Sequence, residues 1–125
     1  MFIEMNPSNG GGGSSVKSGT TEAAAKNTDI VINTGVSNIK HFVWMAKVSG
    51  SNYMQTVEYN DDAFSNKYNA GCLGTSASTA NTAFGTASQN TCMIASDTDL
   101  ANGTIKIHTY NSNYGAVEAG IWMAE

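Results

Sequence analysis
A chain of 125 residues suits one domain, and asparagine, serine, threonine and glycine supply 53 of them while only 13% are charged. An apolar share of 41% supports a core, which sets the chain apart from ordinary disordered sequence. All six cations are lysine, the net charge is −4 and the pI ≈ 4.9, so no nucleic-acid partner and no membrane partner is expected: the basic patches and guanidinium forks are missing.

Met1-Phe2-Ile3-Glu4-Met5 is an apolar hook, set apart by Asn6-Pro7-Ser8-Asn9, Gly10-Gly11-Gly12-Gly13 and Ser14-Ser15. A glycine run has great backbone freedom and nothing to bury, so residues 1–15 read as an anchor peptide and tether, and residues 16–125 as the domain. Met1, Phe2, Ile3 and Met5 are the expected anchoring side chains. No basic n-region or apolar stretch of about 7–15 residues marks a signal peptide, and no stretch reaches the about 18 apolar residues of a membrane span. The expectation is synthesis in the cytosol, with any extracellular life reached by release inside a particle.

Val16–Thr21 predicts a first short strand. Glu22-Ala23-Ala24-Ala25-Lys26 carries an i,i+4 ion pair but is too short to nucleate a helix, and reads as a loop or single turn. Thr28–Asn33 alternates, with Ile30 and Ile32 on one face, and ends near Gly35. Ile39–Val48 is the longest candidate strand; one face holds Ile39, His41, Val43, Met45 and Lys47, the other Lys40, Phe42, Trp44, Ala46 and Val48. Both faces are apolar in the middle, which predicts a central strand covered on both sides. After the turn Ser49–Asn52, Tyr53–Tyr59 is its antiparallel partner, and Tyr68–Leu73 a further strand.

Gly74–Gln89 is nearly all small and polar, with Phe84 as its one anchor, and reads as a long loop. Asn90–Ala95 resumes a strand, Asn102-Gly103 is a hairpin dipeptide, Thr104–Tyr110 alternates, and Val117–Glu125 forms a final strand. Seven or eight short strands without a helical apolar period predict an all-β, antiparallel β-sandwich, the jelly roll being one form of it.

The search for chemistry favours a non-enzyme. No nucleophile elbow, phosphate loop or zinc-protease motif is present. His41 falls on an apolar strand face and reads as a core or interface histidine; His108 points outward as a solvated side chain. Cys72 and Cys92 read as buried free thiols that pack. Asp61-Asp62 and Asp97/Asp99 lack the ligand pattern of a calcium loop. No cofactor and no metal is expected.

The aromatics divide into two sets. Phe42, Trp44, Phe84, Tyr110 and Trp122 are candidate oligomer-interface residues, although Phe42, Trp44 and Trp122 also suit a sandwich core. Tyr53, Tyr59 and Tyr114, at strand ends and in loops, are candidate glycan contacts. A monomeric sandwich would leave either Phe42, Trp44 and Val48 or Ile39, Val43 and Met45 toward solvent, so self-association is expected.

The hook and glycine run, the segment Ile32-Asn33-Thr34-Gly35-Val36-Ser37-Asn38-Ile39-Lys40-His41-Phe42-Val43, and Tyr110-Asn111-Ser112-Asn113-Tyr114-Gly115 followed by Ile121-Trp122-Met123-Ala124-Glu125 together resemble small virion proteins of tailed bacteriophages. Those are compact β-domains that decorate capsids or form short fibres, often as trimers. The resemblance implies a structural protein without catalytic residues, placed on the virion surface. Residues 1–5 would hold it to the major capsid protein or another virion component, whether as head decoration, head fibre, or tail or collar part. It further implies a homotrimer. The alternative is a carbohydrate- or receptor-binding adhesion module of a phage fibre, gripping a host-surface glycan.

Overall fold
Alternation of apolar and polar residues with period two divides the chain into strands, each with one face to bury. The computed structural model describes residues 16–62, 67–74, 81–84 and 90–125, the strand 81–84 by its backbone. Among these residues nine strands follow in order: β1 (Lys17–Thr21), β2 (Asp29–Asn33), β3 (His41–Lys47), β4 (Met54–Asn60), β5 (Tyr68–Leu73), β6 (Asn81–Phe84), β7 (Met93–Ile94), β8 (Thr104–His108) and β9 (Gly120–Ala124). Every pairing is antiparallel. One sheet has the order β1-β9-β3-β4-β5-β6, the other β2-β8-β7, and β7 lies against β4 and β5.

The fold is therefore a β-sandwich, as the alternation predicts. Its strands divide six and three, with a β3–β4–β5–β6 meander, unlike the two four-stranded sheets of a jelly roll. Between the sheets lie Ile30, Ile32, Ile94, Ile105 and Ile107 from the small sheet, facing Phe42, Trp44, Val57, Tyr59 and Trp122 from the large one. Phe42 stacks on Trp122 at 6.5 Å between ring centroids.

Two expectations are corrected. Gly74–Gln89 is not one long loop, because Asn81–Phe84 pairs with β5 from Asn69↔Phe84 to Cys72↔Asn81. Small polar side chains hid a strand whose partner is fixed by backbone hydrogen bonds. And β3, although third in a six-stranded order, is covered on one side only: Phe42, Trp44 and Ala46 are buried, while Val43 and Met45 on the other face remain half-exposed.

Gly120 and Gly103 are among the glycines standing where a side chain has no room. A Cβ on Gly120 would meet the Met45 carbonyl at 2.7 Å and the Trp44 indole nitrogen at 2.8 Å, so glycine lets β9 pass close beside β3. Gly103, in the Asn102-Gly103 turn, has φ +85°, and its Cβ position runs into the Val36 carbonyl.

Polar groups caught in the core are partnered. Trp44 Nε1–H and the Gly120 N–H both donate to Thr21 Oγ1, at 3.0 and 3.2 Å, which fastens β1 to β3 and β9. Gln55, fully buried on β4, donates from Nε2 to the carbonyls of Asn90 and Tyr114, at 2.7 Å each, and its Oε1 accepts from the Cys92 N–H at 2.9 Å. One amide thus satisfies three backbone groups from two distant segments. Replacing it with methionine, of similar volume, strands all three; at about 1–3 kcal/mol for each unpaired buried group, Gln55→Met is expected to lose about 3 kcal/mol or more in urea unfolding. A loss below about 1 kcal/mol would show that the network contributes little.

Candidate functional site
A sandwich spends its two inner faces on the core, leaving outer faces, loops and edges for partners. The outer face of the small sheet is polar. His108 Nδ1 meets Asp29 Oδ1 at 2.7 Å, and its Nε2 lies 3.2 Å from Asn27 Oδ1. Lys106 pairs with Asp97 at 2.5 Å, a hydrogen bond that holds the Asp97 carboxyl below its ordinary range and lifts Lys106 above its own. Asp99 accepts from the backbone and side chain of Asn102 as a turn residue. His108 points outward, as its place in the alternation predicts.

The outer face of the large sheet has the opposite character. Val43 and Met45 of β3 lie beside Met123 and Ile121 of β9, with Met54 of β4 and Leu73 of β5 completing the surface. Ile121 is 56% exposed, Leu73 39% and Met54 38%. Among the described residues, three of the four exposed large hydrophobics share this face; the fourth, Val31, stands alone on the small sheet. One acid interrupts the apolar surface. Glu58, opposite Val43, has a buried Oε2 without a hydrogen-bond partner among the described residues, and burial raises its carboxyl above the usual range.

At one end of this face the charges are paired. His41 sits between Asp62, at 2.9 Å, and Glu125, at 3.5 Å, so its surroundings are carboxylates rather than the apolar neighbours its strand face suggests. Asp61 takes Lys67 at 3.1 Å, Lys40 at 3.5 Å and the Tyr59 hydroxyl at 3.0 Å. The hydrogen bond from Lys67, then that from Tyr59, hold the Asp61 carboxyl below its ordinary range. Among the described residues, no group of three or more His, Cys, Asp or Glu side chains is placed to hold a metal ion.

The tyrosine set splits. Tyr59 is buried, packs on Tyr68 at 4.9 Å between centroids and is pushed up to about 12 by burial and by Asp61, so its ring is not offered to a glycan. Tyr53 and Tyr114 meet edge to face at 5.2 Å, both half-buried, beside a groove of about 400 Å³ lined by Met45, Lys47, Asn52, Met54 and Ile121. A second cleft, of about 450 Å³, opens between the edge strands β1 and β2 and reaches Trp122.

The interface set is corrected more heavily. Phe42, Trp44 and Trp122 are consumed by the chain's own core, where each packs against the opposing sheet, and leave no ring for a neighbour. Tyr110 is half-buried, its carbonyl accepting from the Asn27 N–H at 3.0 Å. Phe84 lies in β6 with its side chain outside the described residues, and Met1, Phe2, Ile3 and Met5 lie outside them altogether. Sequence reasoning named Ile39, Val43 and Met45 as one of two possible solvent faces; Ile39 is instead buried in the core, and Met54, Leu73, Ile121, Met123 and Glu58 were missed. For four of them the signal was present: Met54 and Glu58 in Tyr53–Tyr59, and Ile121 and Met123 in Val117–Glu125, alternate with residues that are buried.

Cys72 and Cys92 are free and buried, as their surroundings predict, and burial pushes the Cys92 thiol up to about 12. No protein-family profile, curated protein or solved structure matches this chain.

The folded state thus holds the Cys92 and Tyr59 protons more tightly than an unfolded chain, whose ordinary values are 9.0 and 10.0. Their stabilisation is complete below about pH 9 and is lost as pH climbs toward 12, because the native state then binds more protons than the unfolded one. Urea midpoints are expected to fall across that window, and less steeply in Tyr59→Phe. Equal slopes in the two proteins would refute the assignment to Tyr59.

Proposed function
We propose that this chain is a non-enzymatic structural protein of a bacteriophage particle: a self-associating β-sandwich on the virion surface, attached through residues 1–5. The observation that carries this reading is the contrast between the two outer faces. A charged, solvated sheet suits display toward solvent, and an apolar sheet suits contact with protein. The resemblance of segments 32–43 and 110–125 to small phage virion proteins supplies the setting, and with it a copy number of three and a contact to the major capsid protein or another virion component.

Phe2 and Ile3 together are able to bury apolar surface worth roughly 3–5 kcal/mol. Ordering the hook and tether offsets a good part of that, so a single copy attaches weakly and several copies are needed. Deleting residues 1–9 is expected to lower the copies per particle at least about tenfold, counted by quantitative mass spectrometry, while circular dichroism stays unchanged. Normal occupancy by the truncated protein would remove the anchor from the proposal.

A second reading, an adhesion module for host-surface glycans, draws on the Tyr53–Tyr114 pair beside its groove, since rings next to polar loops suit sugar faces. A glycan array on the full chain separates the two: specific binding that is lost in Tyr114→Ala would establish adhesion, and an empty array would leave the structural role alone.

A further inference from the structure
The outer face of the large sheet carries three apolar-rich rows across the strands, bounded on one side by the charged end already described, where His41 faces Asn60 beside Glu125. Ser18, Met123, Val43, Glu58 and Asn69 make the first; Thr20, Ile121, Met45, Thr56 and Gly71 the second; Lys47, Met54 and Leu73 the third. Within these three rows charge is confined to the first and third and is of opposite sign: Glu58 in the first, Lys47 in the third. Among the described residues, the Glu58 Oε2 is buried without a donor, while Lys47 holds an exposed pair with Glu118 at 3.3 Å, half-solvated on both sides, of a kind that contributes little.

We propose that this face is the contact between two copies of the chain, stacked face to face with strands reversed, so that Glu58 of each copy meets Lys47 of the other. The inference rests on the self-association in the reading above and assigns its surface. Three observations select a second copy as the occupant. An identical sheet has identical twist, and aligned sheets of matching twist stack about 10 Å apart. A half-turn about the middle row exchanges the first and third rows, setting the carboxylate of one copy over Met54 of the other and beside its Lys47. The face reaches the lower end of specific interfaces: its thirteen positions, at about 4.8 Å by about 6.8 Å each, give about 420 Å² flat per copy before corrugation and flanking loops are counted.

Such a contact is isologous and closes on two copies, one fewer than the resemblance implies. Met45, Met54 and Met123 suit it, because flexible thioethers fill the gaps between two sheets that meet side chain to side chain.

The test is sedimentation equilibrium of the full chain at tens of micromolar, with cooperative urea unfolding to confirm that each variant is folded. Wild type is expected as a dimer. Ile121→Lys weakens it by at least about 100-fold, and Val31→Lys, the same charge change at an exposed residue of the other sheet, leaves it intact. Lys47→Glu and Glu58→Lys each weaken the dimer, and the double variant restores it. In the dimer, peroxide oxidises Met45 and Met123 more slowly than in Ile121→Lys. A dimer that survives Ile121→Lys overturns the assigned face but not self-association. A trimer, or failure of the charge swap to rescue, overturns the reversed stacking. A wild-type monomer overturns self-association itself, and slow methionine oxidation in that monomer would name another part of the chain as the cover.

Discussion

The side-chain amide of Gln55 is the point on which the rest of this sandwich depends. It occupies an inward position on β4 where an apolar residue would ordinarily pack, and it is fully enclosed. Burial of an amide is tolerated only when its donors and acceptor are used, and here all three bonds go to backbone atoms of Asn90, Cys92 and Tyr114. These belong to segments that carry little regular structure of their own. β7 has two residues, and the stretch after β8 offers only a 3₁₀ turn at Asn113–Gly115. Hydrophobic packing alone does not fix the register of such short pieces; three directional bonds do.

That fixing decides what the outer faces look like. Because the 90–92 segment is drawn against β4, the small sheet lies over the middle of the large one, and its isoleucines take up the aromatic inner face. Thr21 closes the β1 side by accepting from both Trp44 and Gly120. With the interior satisfied from one direction, the alternation of β3, β4 and β9 pushes Val43, Met45, Met54, Ile121 and Met123 outward. The apolar surface is thus a consequence of the same period-two pattern that builds the core.

Where side chains carried the signal, the strands were legible. Ile30 and Ile32, Ile105 and Ile107, and the run His41–Lys47 announce their strands through alternation, and the antiparallel partnership of β3 with β4 follows from the turn between them. β6 was illegible because Asn81-Thr82-Ala83-Phe84 shows no apolar–polar alternation and sits among small polar residues; it is a strand because β5 presents an edge to it. The orientation of β3 was ambiguous for a different reason. Both faces read as apolar, and the choice falls on its neighbours, which offer Val57 and Trp122 on one side but Glu58 and Met123 on the other. The candidate site failed in the same way. Trp44 and Phe42 look equally apt for a core or an interface until the opposing sheet is known, and Tyr59 reads as a surface ring until Asp61 and Tyr68 are seen to enclose it.

The order of β1-β9-β3 carries a consequence for the making of the protein. β9 is the last strand in the sequence, yet it sits between two early ones, pairing Lys17 with Ala124 and Trp44 with Trp122. A nascent chain that has reached residue 110 already contains both neighbours of β9 and has nothing to place between them. Folding of the large sheet therefore waits until the final strand has left the ribosome tunnel, and its closure spans about a hundred residues of loop, the kind of distant pairing that slows folding. Until then Phe42 and Trp44 lack the Trp122 they pack against. Such an incomplete, aromatic-rich sheet is what chaperones that recognise exposed aromatics would meet.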